Sequence, residues 1–257
     1  MVKRSACPNR RRDLTVFPAE DVETKVGCLY VCPTPIGNLE DVTLRVLRVF
    51  RQVDLILAED TRHTRILLNH YEITTSCVSY HAHSTETKEE EIVTRLKRGE
   101  KLALASDAGT PGISDPGERL VRRCVAEGLA VVSLPGPTAA IAALVASGLP
   151  TAHFVFLGFL PRKSGPRCRI FTQFGADPKT LVLYESPHRV RACLEDVRAV
   201  LGERQVAVVR ELSKKFEEII RGRVSEVLGS LGEGLRGEVT LIIGGGGEKN
   251  PPSLGTG

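Results

Sequence analysis

The chain has no tryptophan, and aromatic residues make up only 5% of its 257 positions. A platform of stacked rings is therefore not its main means of holding a nucleic acid. No run of 18 or more apolar residues occurs, so no membrane-spanning helix is indicated. The start, MVKRSACPNRRRD, is basic but leads into no apolar stretch, which argues against a secretory signal. The seven cysteines are scattered, odd in number and without a C-x-x-C pair. They read as reduced thiols of a cytoplasmic protein rather than as a disulfide framework or a metal site. Three motifs are also missing: G-x-x-x-x-G-K-[ST], a G-x-G-x-x-G behind the first strand, and G-x-S-x-G. Their absence speaks against a P-loop, a simple dinucleotide fold and a nucleophile-elbow hydrolase.

What is present is ordinary in bulk. Apolar content of 42% and charged content of 26% suit a globular domain, and the length allows one large or two small domains. The net charge of +4 permits a polyanionic partner without demanding one.

Residues 1–26 read as a flexible basic arm and 247–257 as a flexible, glycine-rich tail. Between them, short apolar runs alternate with amphipathic stretches. The predicted strands of the first half are Leu29–Cys32, Asp54–Ala58, Leu102–Ala105 and Ala130–Leu134. Helices are expected over Thr43–Arg51, Thr61–Asn69, Thr87–Arg98 and Glu118–Glu127. Such alternation predicts a mostly parallel α/β sheet. After a break at Ser147–Pro150, strands are expected at Phe154–Leu157, Leu181–Tyr184, Val206–Arg210 and Val239–Ile243, with a helix over Val190–Leu201. The reading is two α/β domains, residues 27–150 and 151–246.

The most telling segment is SDAGTPGISDPG, Ser106 to Gly117, with five Gly or Pro in twelve positions directly behind an apolar run. It leaves the carboxyl end of a predicted strand, where open α/β sheets bind ligands. Four further segments repeat this pattern. In LYVCPTPIGNLED, Pro33, Pro35 and Gly37 end a strand, and Asn38 or Asp41 is placed to cap the next helix. In ILAEDTRHTRILL, Glu59 and Asp60 end a strand, while Arg62, His63 and Arg65 open a helix. In LPGPTAAIAAL, Pro137 suits a first helical turn, beside a small-residue surface at Thr138 and Ala139. In LVLYESPHR, Pro187 places Glu185 and His188 on a strand tip. Any α/β protein needs such turns, so a single one carries little functional weight. Glu59 and Asp60 also fit as simple partners of a helix dipole.

Two other clusters stand apart. Arg162, Lys163, Arg167 and Arg169 lie within a stretch free of acids, as phosphate contacts would or as a solvated loop would. His81 and His83, with Glu86 nearby, have no companion ligands and read as loop residues rather than a metal site.

Eight strings in order resemble the tetrapyrrole methylase superfamily, and within it the ribosomal RNA small subunit methyltransferase I group. They are TPIGNLED (Thr34–Asp41), AEDTRHTRILLNH (Ala58–His70), SYHAHSTE (Ser79–Glu86), SDAGTPGISDPG, PGPTA (Pro135–Ala139), GFLPRKSG (Gly158–Gly165), YESPHR (Tyr184–Arg189) and GEVTLII (Gly237–Ile243). The resemblance implies two α/β domains of the tetrapyrrole methylase type with a cofactor cleft between them, usually in a homodimer. It implies transfer of a methyl group from S-adenosylmethionine to a cytidine 2′-oxygen in the decoding region of 16S ribosomal RNA, within the small subunit. Carried over by motif, the cofactor contacts are Pro35, Gly37, Ser106, Asp107, Ala108, Ile113, Ser114, Pro137, Thr138, Ala139, Tyr184, Glu185, Leu212, Glu238, Val239 and Thr240. No metal and no membrane are implied. A ribose hydroxyl is a poor nucleophile, so a base is needed. The candidates are Asp107, Glu59 and His188 in that order, with Asp107 alternatively binding the cofactor's amino group. Arg162, Lys163 and Arg167, then Arg62 and Arg65, are the expected RNA contacts. Competing expectations are methylation of a corrinoid or siroheme precursor, and a non-catalytic RNA-binding module. Many members carry a further helical segment where this chain has GGGGEKNPPSLGTG, and its basic arm is longer than theirs.

Overall fold

The computed structural model describes residues 27–232 and 234–246. The basic arm and the tail lie outside the described residues. In the first half, the apolar runs become five strands: β1 (Cys28–Val31), β2 (Leu55–Ala58), β3 (Cys77–Ser79), β4 (Lys101–Ala105) and β5 (Ala130–Ser133). They lie in the order β3-β2-β4-β1-β5, and every neighbouring pair is parallel. Side chains alternate across β4. Ala103 and Ala105 pack under α1 (Leu44–Gln52) and α2 (Thr61–His70), while Leu102 and Leu104 pack under α3 (Glu86–Lys97) and α4 (Glu118–Ala126). A parallel sheet covered on both faces needs apolar residues at nearly every strand position. β2, with all four residues buried, meets that need.

The second sheet has the order β6-β7-β10-β8-β9. β6 (Phe154–Phe159) and β7 (Thr180–Glu185) are parallel, whereas β10 (Val239–Ile243) runs antiparallel to both β7 and β8 (Gln205–Arg210). β9 (Glu218–Arg223) forms a hairpin with β8. The expected parallel character thus holds for the first sheet, and the second is mixed. On one face lie α6 (Ser164–Thr172), α7 (Val190–Leu201) and α8 (Val224–Ser230), packed on Leu181, Leu183, Val208 and Leu241.

The opposite face is covered by α5 (Ala139–Ser147), whose Ala140, Ala143 and Leu144 bury against Val182, Ala207, Val209 and Ile242. By sequence, α5 falls in the first α/β unit, yet its buried face belongs to the second sheet. The chain therefore crosses between lobes at residues 134–138, ahead of α5. Pro137 precedes the first helical turn, and Thr138 is the N-cap. Asn38 caps a short 3-10 turn over Leu39–Asp41, and Thr43 caps α1.

A candidate active site between the lobes

β1 and β4 are neighbours, but their crossovers leave for opposite faces, β1 toward α1 and β4 toward α4. A crevice opens outside the carboxyl ends of such a pair. Hydrogen bonds knit the two loops that flank it. The Thr34 amide donates to the Gly109 carbonyl at 2.9 Å, and the Gly109 amide returns a bond to Thr34 at 3.0 Å. The Thr34 hydroxyl donates to the Ser106 carbonyl at 3.0 Å, and that of Thr110 to the Pro137 carbonyl at 3.0 Å. The segment leading into α5 is thus tied to the same edge.

The second lobe closes over this edge with the ends of β7 and β10 and with the loop 211–217 between β8 and β9. A Cβ added at Gly37 would lie 2.9 Å from the Leu212 carbonyl oxygen, so only glycine allows the lobes this approach. The Ser213 hydroxyl donates to the Asp41 carboxylate across the interface. Lys214 joins Glu211 and Glu238, at 3.0 Å each. In β6 a bulge sits between Phe156 and Gly158, and Gly158 takes φ +61° where a Cβ would lie 3.1 Å from Ser114 Oγ. Bulges re-aim side chains. The next residue, Phe159, is 62% exposed, lines the cleft and lies 5.5 Å from the Tyr184 ring.

Between the lobes is a cavity of about 320 Å³. Ala108, Ile113, Ser114, Thr138, Ala139, Tyr184, Glu185, Leu212, Glu238, Val239 and Thr240 line it, as do Ile36, Gly109, Thr110, Asp115 and Phe159. The sequence reading missed this second set. Pro35, Gly37, Ser106, Asp107 and Pro137 are not among the lining residues. Ser106 is buried, its hydroxyl facing the Gly109 carbonyl at 3.3 Å. Among the described residues, the wall carries no lysine, arginine or histidine.

None of the three expected bases lines the cavity. Glu59 and Asp107 hold two loops together: the Asp107 amide donates to Glu59 Oε2 at 3.3 Å, and the Asp60 amide to Asp107 Oδ1 at 3.0 Å. Burial raises the Glu59 carboxyl above its ordinary range. His188 is exposed in the 3-10 turn Pro187–Arg189. Three carboxylates do reach the wall. The Glu185 side chain is fully buried and accepts from the Ser186 amide at 2.7 Å and from Arg189 at 2.9 Å. Glu238 is largely exposed and paired with Lys214. Asp115 sits half-buried among acids. Its own burial first, then the Glu59 charge, push its carboxyl up to about 7, while a hydrogen bond to Ser106 opposes that rise and Asp107 and Glu238 add to it. The sequence flagged its loop but not this residue, because Asp-Pro is ordinary turn chemistry.

The basic cluster divides. Arg162 and Lys163 are exposed at the start of α6, whose first turn has no side-chain cap. Arg167 corrects the sequence expectation. It is 3% exposed, bonds Asp196 at 2.6 Å through Nε and donates to the Ala192 carbonyl at 3.3 Å, so its guanidinium is not presented to RNA. Arg62 and Arg65 are exposed on α2, and Arg62 pairs with Asp60, holding that carboxyl down to about 2. Cys28, Cys32, Cys77, Cys124, Cys168 and Cys193 are free thiols. Among the described residues, no three His, Cys, Asp or Glu side chains are grouped to hold a metal ion, and no helix is long and apolar enough to cross a membrane.

A strand-order crevice enclosed by a second, mixed lobe defines a class. The family model described as tetrapyrrole (corrin/porphyrin) methylases matches residues 28–228, and the chain belongs to that family. Among solved structures, uroporphyrin-III-C-methyltransferase from Thermus thermophilus superposes with a TM-score of 0.60 at 24% identity, covering 85% of this chain and 94% of that one. A diphthine synthase gives 0.64 at 13% identity, with 85% and 90% covered. These share the fold.

Sequence relatives narrow the class. A protein of Halalkalibacterium halodurans is 48% identical over 88% of this chain and 78% of its own length, and one of Escherichia coli O157:H7 is 48% identical over 88% and 80%. One from Synechocystis is 46% identical over 89% and 83%. All three are named ribosomal RNA small subunit methyltransferase I, and the chain is a methyltransferase of that group.

Proposed function

We infer that this enzyme methylates the 2′-oxygen of a cytidine in the decoding region of 16S ribosomal RNA within the small subunit, with S-adenosylmethionine as donor. The observation that carries this reading is the composition of the cavity wall together with the relatives' shared name. Ile36, Ile113, Leu212 and Val239 offer apolar surface to an adenine. Ala108, Gly109 and Ala139 let backbone groups approach, and an acidic wall without cations suits a positively charged ligand. The group fits. When bound, it supplies an electrophilic methyl group on a cationic sulfur.

The remaining work falls to the protein. The ends of β1 and β4 and the first turn of α5 hold one reactant, and Tyr184 and Phe159 bound the opening through which the other arrives. Holding oxygen, carbon and sulfur in line while excluding water is worth several orders of magnitude in rate. Arg162 and Lys163 lie three and four residues after Phe159, a chain distance of at most about 14 Å, which supports them as contacts to phosphates beside the reacting ribose. Arg62 and Arg65 form a second such patch. Ile141 and Val145, one turn apart on the outer face of α5, are exposed apolar residues that support a homodimer. The setting would be the cytoplasm.

Corrinoid or siroheme methylation is the reading against which this one is tested, and a non-catalytic RNA-binding module is the other. Purified enzyme and labelled donor are mixed with small subunits lacking this modification, and the modified ribose is mapped. Label on one cytidine ribose is expected. Label on a tetrapyrrole alone, or RNA binding without transfer, would replace the reading.

A further inference from the structure

Aromatic rings are scarce in this chain, yet three of them meet at one rim of the cavity. Tyr184 of β7 is fixed in place, its hydroxyl accepting from the Ala140 amide at 3.3 Å and the Phe156 ring standing edge-on to it at 5.1 Å. Phe159 leans on Tyr184 at 5.5 Å and a tilt of 56°, with 62% of its surface left to solvent. A single exposed ring means little by itself. This one differs from Phe154 and Phe216, the other exposed phenylalanines among the described residues, in lining the cavity.

The backbone holds the ring there from both sides. Ahead of it, the β6 bulge puts Gly158 at φ +61°, where side chains are rarely tolerated, and re-aims the residue that follows. Behind it, Leu160 is buried and its carbonyl accepts from Arg189 at 3.0 Å, with Arg189 paired in turn to Glu185. Arg162 and Lys163 come next, both exposed. The cavity, at about 320 Å³, lies at the low end of the range for one small molecule. It takes the donor and leaves no room for a nucleotide beside it. A ribose that brings its 2′-oxygen to the donor therefore keeps its base outside, at the rim.

We propose that Phe159 is the stacking platform for the base of the target nucleotide, and that this contact orients the ribose toward the donor. A base drawn out of an RNA stack loses its neighbours, and an aromatic face replaces part of what they supplied. Phe159 would hold the base while Arg162 and Lys163 meet phosphate, so one short segment grips both ends of a nucleotide. Stacking tolerates any base, so the ring contributes affinity and orientation rather than the choice of cytidine. The assignment rests on the ribose-methylation reading above.

The test compares Phe159→Ala, Phe159→Leu and Phe159→Tyr with unaltered enzyme, on small subunits lacking the modification. Ala should lower kcat/KM about 10- to 100-fold, with donor affinity by calorimetry kept within about threefold. Leu keeps the apolar bulk without the ring and should behave like Ala, whereas Tyr should restore most of the activity. The slope of log affinity against log salt should not change, because stacking releases no counterions.

A double-mutant cycle then ties the ring to the base. Subunits reconstituted with an abasic ribose at the target position should be poorer substrates for unaltered enzyme. Combining them with Phe159→Ala should cost little more than either change alone. Full activity in Phe159→Leu, a donor affinity that falls as far as kcat/KM, or losses that simply add in the cycle would each overturn the assignment. If Phe159→Ala did not fold, the contrast between Leu and Tyr and a cycle run with Leu decide it. Absence of transfer to RNA by the unaltered enzyme would instead overturn the reading of the substrate.

Discussion

The two lobes build one cleft by different means. In the first, every strand is parallel, so all carboxyl ends meet at one edge and the loops after β1 and β4 arrive together. In the second, β7 and β10 are antiparallel, with Val239 opposite Glu185 and Thr240 opposite Tyr184. There the cleft receives the end of one strand and the beginning of another, as ordinary strand residues rather than a conspicuous loop. The parallel lobe contributes backbone and small side chains. The mixed lobe contributes the aromatic wall, the Lys214 network and the exposed cations of α6. On the proposed reading, the first lobe supplies the loops that cradle the donor and the second lobe the main RNA-facing cations.

The largest expected effect sharpens that division by showing what in the second lobe is scaffold. Arg167→Ala leaves Asp196 beside the α6–α7 packing without its cationic partner, with the Ser164 hydroxyl still donating to it at 2.7 Å. Removing one member of a buried ion pair costs about 3 kcal/mol when the other keeps some exposure, as the Asp196 side chain does. Chemical denaturation should register that loss, and a melting temperature lower by roughly 6–12 °C. KM for small subunits should not change below the melting range. A stable Arg167→Ala with raised KM would return this residue to the RNA surface.

A second effect breaks the approach of the lobes by a substitution at a residue that does not itself line the cavity. Gly37→Ala sets a Cβ against the Leu212 carbonyl and Lys214 Cγ, and the 211–217 loop must withdraw. Leu212 and Glu238 would retreat with it, so donor affinity measured by calorimetry should fall about tenfold, equivalent to ~1.4 kcal/mol. Stability should change less than for Arg167→Ala, because neither core is opened. Unchanged affinity would mean that the first lobe holds the donor alone.

The contrast between lobes also explains what was legible in the sequence. β1, β2 and β4 stood out because buried parallel strands are continuous apolar runs, and β5 stood out by its apolar Ala-Val-Val although none of its residues is fully buried. β3 did not, having only three residues, Cys77–Ser79, none fully buried. α6 reads as a loop because Gly165 and Pro166 fall within it and arginines fill it. Yet Pro166 lies in the first turn, where no backbone donor is required. β9, Glu-Ile-Ile-Arg-Gly-Arg, is an edge strand whose charges hide its alternation. In the site, the loop that holds Ala108 and Ile113 stood out by its Gly/Pro density and Thr138 by the small-residue surface around it, while Ala108 and Ile113 themselves were named through the family resemblance. Asp115 was not, since its environment depends on Glu59, Asp107 and Glu238 converging from three separate segments. That convergence is a property of the fold. Glu59 and Asp107 attracted attention as acids at strand ends, and the structure uses both to fasten neighbouring loops.

The smallest effect bears on the RNA side of the division. Lys163 is the N-cap residue of α6 and exposed, and the helix dipole at that end adds to its positive field. One phosphate contact is a modest share of binding to a large RNA, so Lys163→Ala should raise KM for small subunits a few-fold. Its more diagnostic trace is in salt: the slope of log affinity against log salt should fall by about one unit. Donor affinity should be untouched, because the residue stands outside the cavity wall. A Lys163→Ala enzyme with the full salt slope would shift the phosphate contacts to Arg62 and Arg65 on α2, and RNA would then be gripped by the lobe that also holds the donor.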